Sequence, residues 1–218
     1  MAVEPLPSLD RSTLRERALV AVRSAILTGR YGPGDHLGEV ELAGSLGVSR
    51  GTVREALRHL QQEGLVVAGA RGMLRVRALS PQEVRELFAV RAALEGLAIS
   101  ELIASPRRQE AAARLRAELE RLEEDPDDVL ASLEADLGFH LLLCQLAGNS
   151  MLVDAWRHLE GRMRVTIMSF GETTAKGLMS AQRHLPIVEA VERGEVPAAR
   201  AVIEAHMAGA AEAYARPR

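Results

Sequence analysis

From residue 12 to about 28 the apolar positions Leu14, Ala18, Ala21, Val22, Ala25 and Ile26 recur at helical spacing, which predicts an amphipathic helix closed by Gly29. Tyr31-Gly32-Pro33-Gly34 reads as a turn, and two short helices are expected at 39–46 and 50–63. The pattern then changes. Leu65-Val66-Val67 and Met73-Leu74-Arg75-Val76 are β-prone and flank Gly69-Ala70-Arg71-Gly72, the signature of a short hairpin. Ser80-Pro81-Gln82-Glu83 announces a helix with a capping serine, proline in the first helical position and glutamate in the third. Beyond it the period is helical throughout, predicting helices over 81–104, 106–124, 127–147, 150–170, 176–193 and 196–214. Pro186 lies inside one of these and should kink it or mark its true start. The expected fold class is mainly α: an N-terminal winged helix-turn-helix of three helices and a β-hairpin wing, then an all-α antiparallel helical bundle. The expected division is a flexible tail over 1–11, with Pro5 and Pro7, a winged helix-turn-helix domain over 12–78 and a helical domain over 79–218.

The helix-turn-helix reading rests on the run from Leu42 to Leu57. Ala43 is small where two helices cross, Gly47 permits the positive φ of a tight inter-helix turn, and Val53 plugs the space between the helices. Leu46, Val48, Leu57 and Leu60 complete the apolar face. Ser49 caps the second helix, whose exposed face carries Arg50, Arg54 and Arg58 one turn apart. The start of such a helix enters the major groove, where arginine grips guanine edges or phosphate. Arg71 and Gly72 fall at the wing tip, where glycine lets the backbone approach DNA; turn chemistry alone also accounts for it.

Composition makes the chain an ordinary globular one, with 47% hydrophobic and 26% charged residues. No apolar run reaches the ~18 residues of a membrane span and no signal peptide is visible, so a cytoplasmic location without membrane contact is expected. The single cysteine, Cys144, has no intramolecular disulfide partner and reads as core. The net charge of −3 hides an asymmetry: residues 1–79 hold 11 arginines against 8 acids, and residues 80–218 hold 16 basic against 22 acidic residues. A basic first third on an acidic remainder suits one domain that meets phosphate and one that does not.

Spacing alone does not single out any of the 6 histidines. Asp136 and His140 share a helix face, but Asp154 and His158 have the same spacing, and His59 has Glu55 and Glu63 a turn to either side. His36 lies in a turn, while His184 and His206 sit in apolar surroundings on the last two expected helices. A carboxylate and imidazoles converging inside a bundle form a sound divalent-metal site, and unrelated core histidines are the plainer account. Arg91 is a candidate clamp for a small carboxylate, or the partner of Glu95 one turn on.

Two resemblances sharpen this. Ile26-Leu27-x-Gly29-x-Tyr31-x-Pro33-Gly34-x-x-Leu37-x-Glu39-x-x-Leu42-Ala43, then Val48-Ser49-Arg50-x-x-Val53-Arg54-Glu55-Ala56-Leu57, then Glu63-Gly64-Leu65-Val66 resembles the GntR family of bacterial transcription regulators, over about residues 13–77. The resemblance implies a homodimer on palindromic double-stranded operator DNA, with Arg50, Thr52 and Arg54 at the groove and Gly72 in the wing. Gly51-Thr52 departs from the family's commoner Thr-Pro, and Val40 stands where some relatives carry a basic residue. Asp136-x-x-x-His140, Gly148-Asn149, His184-x-x-Ile187-x-x-Ala190-x-x-x-Gly194 and His206, with Val90-Arg91-x-x-Leu94-Glu95, resemble the FCD effector domain of the FadR-type branch, over about 80–214. This implies a divalent metal held by Asp136, His140, His184 and His206; three imidazoles and a carboxylate suit Zn, Ni, Mn or Fe. Arg91 and Asn149 become the candidate effector contacts.

The expected function is a dimeric, non-enzymatic regulator whose operator affinity responds to a small metabolite, an organic acid by family, at the metal site. A metal-dependent hydrolase is the first alternative, against which no dedicated general base is visible. A DNA-binding protein with an inert helical dimerisation domain is the second.

Overall fold

Helix α1, Leu14–Leu27, starts at a capping box: the Thr13 hydroxyl accepts from Glu16 N at 3.2 Å, and the Glu16 carboxylate accepts from Thr13 N at 2.7 Å. Ala18, Val22 and Ile26 form its buried stripe. Helix α2, Glu39–Leu46, ends at Gly47 with φ +65°, and α3, Arg50–Gln62, begins under a Ser49 cap. This is the turn the Ala43–Gly47–Val53 spacing demands, with Val53 wholly buried between the helices. Strands β1, Val66–Ala68, and β2, Leu74–Val76, pair antiparallel with Val66 opposite Val76 and Ala68 opposite Leu74. The loop before α2 also joins this hairpin: Leu37 N donates to Leu74 O, and His36 bridges Arg75. The computed structural model describes residues 13–69, 72–122, 128–169 and 177–216.

The second unit comprises α4 (Pro81–Ala104), α5 (Arg108–Arg121), α6 (Val129–Leu146), α7 (Ser150–Met168), α8 (Ala181–Arg193) and α9 (Val196–Tyr214). The Ser80–Glu83 capping box forms as its residues dictate, and Arg77 at the end of the hairpin region adds a 2.6 Å bond to the same carboxylate. α4 packs along α9 and also against α6 and α7, while α5 packs on α8 and α6. Phe88 of α4 stacks on Tyr214 of α9. α8 starts at Ala181 and runs through Pro186, so the proline neither begins nor ends it. Pro186 and Gln182, whose carbonyl loses its donor, are both exposed, so the missing bond falls on the solvent-facing side of the helix.

α6, with mean hydropathy 1.4, is long and apolar enough to match a membrane span in length and composition. It is interrupted by Glu134 and Asp136, and it supplies Leu133, Leu137, Phe139, His140 and Leu143 to the helical core. One apolar cluster gathers residues of α4–α9, and a second gathers Val22, Ile26, Leu57, Leu60 and Val66 of the first unit. Val165 of α7 belongs to the second cluster, so one bundle helix contributes to the core of the winged unit. A Cβ at Gly161 would meet Leu65 Cδ2 at 2.9 Å, so this turn of α7 needs glycine to reach the winged unit so closely.

Candidate functional site

The face expected to read DNA is built by α3 and the wing. Ser49 Oγ accepts from Thr52 N at 3.1 Å and pairs with the Thr52 hydroxyl at 2.9 Å, which fixes the first turn. Arg50, Arg54 and Arg58 are all exposed on α3. Arg54 is not a free cation: it makes a two-pronged pair with Glu39 of α2, at 2.9 and 2.7 Å, and Arg58 pairs with Glu55 at 2.7 Å. The hydrogen bond from Arg54 holds the Glu39 carboxyl below its ordinary value. Gly72 is exposed with φ +75°, and an added Cβ would meet nothing within 4 Å, so the wing backbone is open to approach. Arg71 lies outside the described residues. Arg54's pairing with Glu39 had no signal in the helix-periodic pattern, because the two lie on different helices.

In the bundle, α6, α8 and α9 bring His140, His184 and His206 together: ligand atoms of all three lie within 4.8 Å of one another. Asp136 joins them, its Oδ1 3.1 Å from His184 Nε2. Asp136 is 5% exposed, His140 and His184 are fully buried, and His206 is half-buried. Asp154, His158, His59 and His36 are not part of this cluster.

Hydrogen-bond partners decide the tautomers. His140 Nδ1 lies 2.6 Å from Glu95 Oε2, and His184 Nδ1 lies 2.8 Å from the carbonyl of Ser180. Both partners are acceptors, so each Nδ1 carries the proton and each Nε2 turns inward; the two Nε2 atoms are 3.1 Å apart. Two imidazole nitrogens and a carboxylate oxygen thus face one another in a buried space, an arrangement that requires a positive charge, either a proton or a metal ion. Burial, reinforced by the Arg91 charge, pushes His140 well below its ordinary pKa, and burial with the neighbouring histidines pushes His206 down to about 2. For Asp136 burial acts upward, but a positive charge at the His184 and His140 ring nitrogens, first of all a hydrogen bond from a proton on His184 Nε2, together with the Arg91 charge, outweighs it and lowers its pKa. The lowered His140 and His206 favour the neutral imidazole that a metal ligand needs.

Glu95 was legible in the sequence only as a partner of Arg91. In the structure it is fully buried and accepts three bonds: Arg91 Nε at 2.7 Å, Trp156 Nε1 at 3.0 Å and His140 Nδ1. Arg91 is 2% exposed, and its Nη2 is buried without a hydrogen-bond partner among the described residues. Arg183 of α8 was also missed: its Nη2 donates to the His206 carbonyl, and its charge acts on His140 and His206. Asn149 is not brought to this cluster by any contact. It caps α7 through Leu152 N and donates to Glu101. Cys144 is a buried free thiol whose pKa burial raises, as expected of a core residue.

Comparison with known proteins agrees with both halves. The pattern of bacterial regulatory proteins of the gntR family matches residues 14–76, and that of the FCD domain matches 86–209. The chain is 30% identical over 202 residues to the "Probable D-xylose utilization operon transcriptional repressor" of Paenarthrobacter nicotinovorans, covering 92% of this chain and 88% of that protein. It is 32% identical over 198 residues to an HTH-type transcriptional regulator of Streptomyces ambofaciens, covering 89% and 82%. Its fold matches the crystal structure of a GntR transcriptional regulator from Rhodococcus sp. RHA1 with a TM-score of 0.78 at 23% identity, covering 95% of this chain and 100% of the other. An exposed arginine row on a capped second helix, a hairpin wing and a helical domain behind them therefore belong to a DNA-binding transcriptional regulator, not an enzyme: the chain is a member of the GntR family with a C-terminal FCD domain.

Proposed function

We propose that this regulator is a homodimer whose affinity for a palindromic operator is set by a small organic acid at a divalent-metal centre in its helical domain. The observation that carries the metal is the inward-facing pair of Nε2 atoms, 3.1 Å apart, each fixed by a hydrogen bond at the opposite ring nitrogen, with Asp136 beside them. Asp136, His140, His184 and His206 would hold the ion, and Zn, Ni, Mn or Fe each suit the donor set. When bound, the ion supplies a Lewis-acidic point to which an anionic ligand can attach. Arg91 favours a carboxylate ligand: it is buried next to the cluster with one guanidinium nitrogen unsatisfied, and a second arginine, Arg183, is near. The contacts of Asn149 favour a capping role over an effector contact.

A DNA-binding domain over 12–78 and an effector-binding and dimerisation domain over 79–218 are supported by the two apolar clusters, of which the first unit's also takes in Val165 of α7. Val90 and Leu97, both about half exposed two turns apart on α4, offer an apolar seam for a second copy. Operator, effector and dimer belong together, because a two-fold protein reads two half-sites and a ligand that favours one dimer arrangement changes its grip on both. The reading also places the protein in the cytoplasm, beside the DNA.

Elemental analysis of purified wild type and His184→Ala tests the centre. The expected result is about one metal ion per wild-type chain, following from a single four-ligand cluster, and a large loss in the variant. A wild-type protein without stoichiometric metal, purified free of chelators, removes the sensor and leaves a DNA-binding protein with an inert helical domain.

A further inference from the structure

A cleft of about 470 Å³ lies where the winged unit meets α7, away from the histidine cluster. α1 and the end of α3 form one wall, the turn of α7 from Arg157 to Arg164 the other, and Leu27, Leu65 and Leu159 give it an apolar lining. Its volume is that of a pocket for a small organic molecule. Four arginines line it, and two are already neutralised: Arg23 pairs with Glu63 at 2.5 Å, and Arg164 pairs with Glu134 and Glu160. Arg157 and Arg162 have no ion pair among the described residues. Arg162 is held against the backbone of Gly64, and its Nε is shut off from solvent with no hydrogen-bond partner among the described residues. What the cleft offers an anion is the two guanidinium charges of Arg157 and Arg162, which line it without a carboxylate partner among those residues and can each form a charge-assisted bond.

We propose that this interdomain cleft is a second ligand site, separate from the metal centre, for a small amphipathic anion with an apolar body and a carboxylate, sulfonate or phosphate head. The apolar body lies against Leu27, Leu65 and Leu159, and the head bonds Arg162 and Arg157. Because the walls belong to the DNA-reading unit and to α7, a bound anion fixes the spacing between them and alters operator affinity. Only this last consequence rests on the DNA-reading assignment; the binding itself does not.

The test is fluorescence titration of the full-length protein with 8-anilinonaphthalene-1-sulfonate, an aromatic sulfonate of the required chemistry. Wild type is expected to bind saturably at one site per chain, and Arg157→Gln/Arg162→Gln to bind at least tenfold more weakly, equivalent to about 1.4 kcal/mol. The single variant Arg157→Gln, at an exposed position that cannot threaten the fold, is expected to weaken binding by itself, and His184→Ala to leave it unchanged. Equal affinity in wild type and the double variant overturns the proposal, as does loss of binding in His184→Ala with retention in the arginine variants. Saturating probe is expected to shift wild-type operator affinity at least roughly fivefold, the lower end of common allosteric couplings. Saturation without such a shift overturns the regulatory half.

Discussion

Trp156 donates its indole N–H to Glu95 Oε1 at 3.0 Å, and the other oxygen of that carboxylate accepts from His140 Nδ1 at 2.6 Å. The tryptophan sits on α7, the helix whose Val165 enters the core of the DNA-reading unit two and a half turns later. A single helix therefore touches the group that orients a candidate metal ligand and the domain that meets DNA. Trp156→Phe keeps most of the packing and removes one donor, so its expected stability cost is about 1 kcal/mol. With Glu95 less firmly held, metal affinity is expected to fall roughly tenfold, the lower end for loss of an outer-shell partner. A competition titration with a chromophoric chelator measures it, and unchanged affinity removes Trp156 from any positioning role.

Removing the metal should cost stability as well as ligand binding. The three histidines of the candidate centre lie on α6, α8 and α9, so an ion there would tie α6 to the α8–α9 pair, with His140 and His184 44 residues apart in sequence. At a free metal concentration 100 times its dissociation constant the stabilisation is about 2.7 kcal/mol. Dialysis against a strong chelator is therefore expected to lower Tm by several degrees, and restored metal to raise it again, with no such response in His184→Ala. A chelator-insensitive melt in metal-loaded wild type contradicts the assignment.

How much of this was open to sequence reasoning follows the range of the interactions. The capping boxes at Thr13–Glu16 and Ser80–Glu83 and the Gly47 turn are local, so the residue order contains them. Periodicity found α9 at its observed bounds but began α8 at 176 rather than Ala181, because the apolar period continues upstream of the Ser180 cap position. The Asp136–His140 spacing was visible but had an identical competitor in Asp154–His158, and only the family resemblance separated them. Glu95, Trp156 and Arg183 escaped because their roles depend on contacts between helices, which no period encodes.

The arginines of α3 should separate into two kinds. Arg54 is aligned by Glu39 and is suited to a base edge, whereas Arg58, further along the helix and paired only within it, is suited to phosphate. Arg54→Ala is expected to cost about 1–3 kcal/mol of specific operator binding while sparing non-specific DNA. Arg58→Ala should weaken both kinds of DNA about equally and reduce the salt slope by about one unit. Gel shifts at several salt concentrations, with the native upstream region and an unrelated duplex, distinguish the two. Undiminished operator binding by Arg54→Ala would remove the recognition-helix role given to it.

Glu83 ties the junction between the winged unit and α4, and its charge gives that junction a pH dependence. The Ser80 backbone N–H first, then Arg77 and the Ser80 hydroxyl, push its pKa from 4.5 down to about 2. A carboxyl whose folded pKa is depressed adds stability that is fully present above its unfolded pKa and is lost as pH falls through the folded one. The window is therefore from about 4.5 down to about 2. The side chain is 38% exposed, so solvent screening reduces the contribution to about 0.5–1 kcal/mol. Glu83→Gln keeps a residue able to close the capping box but removes the charge. Its deficit against wild type in urea unfolding is expected to be that large at pH 7 and to shrink as the pH is lowered below 4.5. A deficit that is the same at pH 7 and pH 3.5 would mean that Glu83 acts through its shape and neutral hydrogen bonds, and that the junction does not depend on the ionised pair with Arg77.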